Sequence, residues 1–249
     1  MLRRLAVIAL VAAAFTMSCS GDDGDTGAGQ ATSKLPEGGE PFGLDPSRFT
    51  REIDNPYWPM RPGSRWVYRE TDAEGTVQRI VVTVTDRKKT ITGIDAVVVH
   101  DRVTEDGELV EDTFDWYAQD ADGNVWYVGE DTKEYENGKV KSTEGSWEAG
   151  VDGAQAGVVV AAEPEVGLTY RQEYYRGEAE DAARVLSLDE KVEVPIGRFA
   201  GVLMTKDYTP LEPALVEHKF YAKGVGPVLA LTISGGSDRE ELVRFTRGR

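Results

Sequence analysis

The chain has 249 residues, with 44 Asp plus Glu against 28 Lys plus Arg, a formal net charge of −16 and a single cysteine. One cysteine excludes an internal disulfide and a thiolate-built metal centre. The negative charge repels polyanions, which sets aside nucleic acid and anionic lipid surfaces as partners.

From the amino terminus, Arg3 and Arg4 precede an apolar run at 5–15, LAVIALVAAAF. That run is shorter than the roughly 20 residues of a membrane-spanning helix and matches the core of a secretory signal, with residues 1–18 as the signal peptide. It ends at Thr16-Met17-Ser18-Cys19. A cysteine so placed resembles a bacterial lipobox, in which Cys19 would be lipidated and would anchor the exported protein to the cell membrane. Ser18 fits that pattern; Thr16 and Met17 depart from the usual Leu and small residue, and ordinary cleavage beside an incidental cysteine is the other reading. Loss of residues 1–18 removes two arginines and no acid, leaving 26 basic against 44 acidic residues and a charge near −18.

Residues 19–48 are expected to form a disordered, lipidated tether. The Gly-, Asp-, Ser- and Pro-rich stretch 20–46 has too little apolar surface to offset ordering entropy, and it would span roughly 30 Å. Residues 49–249 are expected to make a single β-rich domain, led in by NPYWPMRPGSRWVY at 55–68, whose prolines disfavour a helix.

From Arg65 onward the pattern has period two. Trp66, Tyr68 and Glu70 share one strand face, 72–75 turns the chain, and Ile80, Val82 and Val84 alternate with Val81, Thr83 and Thr85. Further strands are predicted at 91–105, 109–119, 124–130 and 133–142, with turns at 105–107 and at Asn137-Gly138. Residues 147–166 read as an irregular crossing, 168–175 as a strand and 177–186 (GEAEDAARVL) as one short helix with early acids. Strands follow at 190–194, 197–207, 216–222, 228–233 and 242–246. The expected fold is mainly β, an antiparallel curved sheet or open β-barrel with one short helix.

The hairpin at 114–131 (FDWYAQDADGNVWYVGED) concentrates aromatic residues. A two-residue loop at Asp122-Gly123 would pair Gln119 with Trp126 and place Tyr117, Gln119, Trp126 and Val128 on one face. Phe114, Trp116, Ala118, Val125 and Tyr127 would fill the other. Two aromatic faces call for something to cover the second, either the domain itself or an apolar or amphipathic ligand at Tyr117, Gln119, Trp126 and Val128.

Asp120, Asp122 and Asn124 are spaced like the start of a calcium loop, and Asp131 falls where such a loop ends. Val125, however, stands where that loop needs glycine, and a plain acidic turn accounts for the same residues. Glu173, Glu178, Glu180 and Asp181 cluster beside the predicted helix. They could serve a carboxylate hydrolase as acid and base, and Glu178, Glu180 and Asp181 could hold a metal ion; a solvated acidic helix start is the simpler reading of the same residues. The two histidines, His100 and His218, neighbour Asp101 and Glu217, which point to the opposite strand face. No G-x-S-x-G, H-E-x-x-H or P-loop motif is present. No cofactor is expected, calcium being the one ion with a matching spacing.

Two stretches, VEVPIGRFAGVLMTKDYTPLEP with EHKFYAKGVGPV at 192–228 and TYRQEYYRGEAEDAARV at 169–185, resemble a family of uncharacterised secreted bacterial β-rich proteins and lipoproteins. The "strand, Pro-x-Gly-x-Phe, strand" and "YAKGVG" phrases are also similar to the curved sheets of LolA/LolB-like lipoprotein carriers. That resemblance implies an exported β-sheet protein and assigns no activity. The leading expectation is therefore a non-catalytic, membrane-anchored module for an apolar or amphipathic ligand. A metal-assisted or carboxylate hydrolase and a structural or protein-interaction lipoprotein of the envelope are the alternatives.

Overall fold

The computed structural model describes residues 35–50 and 52–249. The expected signal peptide, Cys19 and the tether up to residue 34 lie outside the described residues.

The first half of the chain makes β1 (Phe49–Thr50), β2 (Arg65–Thr71), β3 (Val77–Ile91), β4 (Ile94–Glu105), β5 (Glu108–Asp120), β6 (Val125–Glu136), β7 (Lys139–Ser142) and β8 (Trp147–Glu148). The second half makes β9 (Gln155–Val160), β10 (Thr169–Arg171), β11 (Glu173–Tyr174), β12 (Ala182–Val194), β13 (Gly197–Tyr208), β14 (Val216–Ala222), β15 (Gly226–Ser234) and β16 (Arg239–Thr246). Two-residue turns drive the long hairpins. Thr92-Gly93, Asp106-Gly107 and Asn137-Gly138 all have positive φ at both positions, the twist that matches antiparallel strands.

β2 through β6 pair in sequence, as do β12 through β16, and β16 pairs with β2, so one antiparallel sheet runs from β10 to β11. Those two edge strands are consecutive in the chain. β10 pairs with β12 and β11 with β9, the switch falling at Gln172. The sheet thus curls into a nearly closed barrel. The switch needs Gly157 on β9, where a Cβ would meet the backbone of Gln172 and Glu173.

One end of the barrel is filled by the proline-rich lead-in. Ile53, Tyr57 and Met60 are buried, Trp58 packs 5.4 Å from Tyr117 and 6.2 Å from Tyr221, and the Pro56 carbonyl accepts from the Gly224 amide. The other end lies where β2 and β4 stop and β5 and β16 begin.

Two expectations change. The predicted helix at 177–186 is a turn followed by β12: Gly177 has φ 76 and Tyr175 bridges Ala179. Ala183 and Val185 bury while Arg184 is exposed, so pairing with β13 overrides a helix too short to stand alone. Residues 35–48, read as tether, lie against the barrel. Leu35 is half-buried and Pro36 buried, Phe42 packs 5.3 Å from Trp126, and a 3-10 turn at Pro46–Arg48 is capped by Asp45. Leu35, Phe42 and Leu44 are sparse in sequence, yet all three pack against the core.

Candidate functional site

The hairpin that the sequence singles out is joined by three residues rather than two. The Gly123 amide donates to Asp120 O, and the Asp120 amide to Asn124 O; Gly123 takes a positive φ of 98°. This is a type I turn closed by a glycine bulge. The extra loop residue shifts the register by one, so Gln119 faces Val125, Ala118 faces Trp126 and Tyr117 faces Tyr127. A slip of one residue exchanges the faces. Tyr117 therefore points into the barrel with Tyr127, the two rings stacked at 4.9 Å. Trp126 lies on the outer side under Phe42 and Phe49. Gln119 accepts from the Asp54 and Asn55 amides and donates to Asp54, which fastens the lead-in segment. Val128 is fully buried. The structure thus does not gather the four into one surface.

The calcium-like residues are occupied by the fold. Asp120 accepts four hydrogen bonds, from the amides of Asp122 and Asn124 and from the Asn124 and Trp126 side chains, at 2.8–3.0 Å. Asp122 pairs with Arg48 at 2.7 Å, and Asn124 accepts from the Ala162 amide. Glu180 accepts from the Gly177 amide, away from Asp181, which is buried. Among the described residues no three His, Cys, Asp or Glu side chains are grouped to hold a metal ion.

The feature that sequence reading missed is the barrel interior. It encloses a partly open cavity of about 240 Å³, at the small end for a ligand site. Ten of its lining residues are Asp or Glu and one, Lys219, is basic. Glu130, Glu173 and Asp181 are buried, while Glu70, Glu111, Asp115, Asp238 and Glu240 are half-buried. Trp58, Tyr68, Tyr117, Tyr127 and Tyr221 supply an aromatic wall.

Each strand brings its part by alternation. On β5, Glu111, Thr113, Asp115 and Tyr117 face inward, while Phe114 stacks on His100 at 4.4 Å and Trp116 lies under the Lys89 ammonium at 3.3 Å. On β14, Glu217, Lys219 and Tyr221 face inward. The polar groups are held in place. Tyr127 donates to Asp115 at 2.7 Å, Thr132 to Glu130 at 2.6 Å, and the Trp147 indole to Glu173 at 2.8 Å. Lys219 lies 3.1 Å from Asp207 and 3.8 Å from Glu217.

This setting moves the protonation equilibria. Burial pushes Glu130 well above the ordinary carboxylate range, helped by Glu173 and Asp115. Burial does the same for Glu173, with Asp181 adding to it. Asp181 is pushed up to about 7 by burial, against the pull of Lys219 and Thr209. Burial would lower Lys219, but Asp207 and Glu217 outweigh it and hold its ammonium form. Burial and Asp115 keep Tyr117 and Tyr127 in their phenol form. Chemically, the interior offers negative charge and protonated carboxyls beside aromatic faces. Of the four acids first grouped as a hydrolase site, Glu173 and Asp181 line it and Glu178 and Glu180 do not.

The signal for these residues was present as alternation. Polar or aromatic side chains at every second position of 111–117 and 217–221 mark one face, but nothing local says that it turns inward.

No protein-family model matches the chain, and no curated protein does. Among solved structures, the chain is similar in outline to a protein from Bacteroides fragilis NCTC 9343, assigned as exported and with a YmcC-like fold. The two are 14% identical with a TM-score of 0.46, and the match covers 76% of this chain and 98% of that one. A protein from Parabacteroides distasonis ATCC 8503, assigned as a lipoprotein, is 13% identical with a TM-score of 0.42 over the same shares. The resemblance to LolA/LolB-like carriers finds no support among these matches.

Proposed function

We propose that this chain is an exported, lipid-anchored binding module whose barrel interior takes a small amphipathic molecule bearing a positive charge. The observation that carries the reading is the cavity lining, with ten acidic residues to one lysine, set beside five aromatic rings. An ammonium group gains from carboxylates and from the faces of aromatic rings, most of all where water is displaced. A short alkyl chain gains from Ile80, Val82, Val99 and Leu229 on the same wall. An anionic ligand meets the opposite field. Of the apolar or amphipathic ligand expected from the hairpin, the amphipathic one is kept in this reading, because a wholly apolar ligand would strip water from carboxylates and return no interaction.

The test is calorimetric titration with octyltrimethylammonium and, in parallel, octyl sulfate. Saturable binding of the ammonium, abolished in Tyr117→Ala, together with none of the sulfate, supports the reading. Equal binding of both, or of neither, removes it. Membrane anchoring is checked separately by Cys19→Ser, which releases the protein from the membrane fraction.

A further inference from the structure

The barrel wall has one weak line. β11 gives β9 only two rungs, Glu173 opposite Ala156 and Tyr174 opposite Gln155. β10 leans the other way, onto β12, and its Arg171 amide donates to the Pro36 carbonyl at 2.8 Å rather than to β9. What crosses the seam is the Arg171 side chain, 2% exposed. Its Nε donates to Ala156 O at 3.1 Å and one Nη to Gln155 Oε1 at 3.2 Å. The other Nη donates to the carbonyls of Gly38 and Glu40. Gln155 joins the same knot, donating to Gly39 O and accepting from the Phe42 amide. Gly39 is closely matched here, since a Cβ would fall within the Tyr174 ring. Behind the seam, Val159, Gln172 and Glu173 line the cavity.

We propose that residues 35–42 latch this seam, and that lifting them lets β10 and β11 part from β9 and widens the cavity. The proposal rests on the binding role proposed above and assigns that site its control. Two opposed tendencies meet at the seam. Outside, four of the strap's carbonyl and amide groups and the Phe42 ring hold the wall shut. Inside, Glu130, Glu173 and Asp181 are buried side chains lining one cavity, and ionising them in the closed barrel is opposed by burial and by one another, so a wider, wetter interior is favoured as they lose their protons. A short ladder with no third partner is the kind of element that opens locally without global unfolding. The strap belongs to the stretch 19–48 read as a membrane tether, so a pull along that tether acts first on the latch.

The experiment is hydrogen exchange on the full chain, comparing the parent with Phe42→Asp and Arg171→Gln, alongside stopped-flow dissociation of octyltrimethylammonium. Phe42→Asp alters only an outer contact of the strap, so it carries the test if Arg171→Gln does not fold. The expected result is exchange at least tenfold faster in β9 and β11, with β3 and β4 unchanged, and dissociation faster by a similar factor. Free exchange of 35–42 with β9 and β11 still protected overturns the latch, as does uniform acceleration of the whole barrel or a seam that opens with dissociation unchanged. If the seam opens as expected but the parent never binds the ammonium, the binding reading fails and the seam remains a local opening unit.

Discussion

Lys219 on β14 and Asp207 on β13 meet inside the barrel at 3.1 Å, and Lys219 is the single basic side chain lining the cavity among the described residues. Asp207, 1% exposed, also accepts from Thr205 at 2.5 Å and Gln172 at 3.1 Å. Two neutral donors do not replace a cation for a carboxylate so deeply buried. Lys219→Met is expected to lower stability by about 3 kcal/mol, read as a shift in the urea midpoint. Pairing it with Asp207→Asn should recover a large part of that loss; no recovery would show that Lys219 acts through packing instead of charge.

The buried carboxyls set a pH dependence of opposite sense to an ordinary surface acid. Glu130, Glu173 and Asp181 keep their protons in the folded barrel above the pH at which the unfolded chain releases them. The folded state then binds more protons, so stability falls as pH rises from the ordinary carboxylate range, and for Asp181 this loss is complete only above about 7. Thermal midpoints measured from pH 4 to pH 8 should decline, and Glu130→Gln or Glu173→Gln should flatten the decline. Each variant should match the parent near pH 4 and exceed it at pH 8. A parent curve that rises over this window contradicts the assignment.

Gly157→Ala addresses the closure of the barrel. A Cβ at that position meets the backbone of Gln172 and Glu173, which cannot rotate away as a side chain would. The expected cost is about 1–3 kcal/mol, with the loss of protection concentrated in β9 and β11. Ala at Gly75, which has open space around it, should cost less and act through its positive φ alone.

Asp120→Ala strands four donors around the 121–123 loop. An expected loss of about 2–3 kcal/mol follows from leaving such buried groups unmatched, while millimolar calcium added to the parent leaves its melting midpoint in place. A calcium-dependent rise that vanishes in the variant would restore the metal reading of Asp120, Asp122 and Asn124.

Much of the fold is legible in the order of the amino acids. Strands β2 to β5, the end of β12 at 190–194 and β13 to β16 follow from period-two runs broken by glycine-containing turns such as Asp106-Gly107 and Pro195-Ile196-Gly197, because turn chemistry and alternation act over a few residues. The site is less legible. A single loop residue at 121–123 separates Tyr117 from Trp126. A run of acids at 177–186 has a helical look, and pairing with β13 claims it for a strand. Three apolar residues, Leu35, Phe42 and Leu44, order a stretch whose composition alone reads as tether.

The sequence by itself determined the strand content, the short turns, the negative charge and which residues share a strand face, since each depends on neighbours in the chain. Only the tertiary structure decided which face turns inward, that Asp115, Glu130, Glu173 and Asp181 from four separate segments meet around one cavity, and that the wall closes at Gly157 and Arg171. Those outcomes depend on register and closure between distant strands, where a shift of one residue reverses a face while leaving the local pattern unchanged.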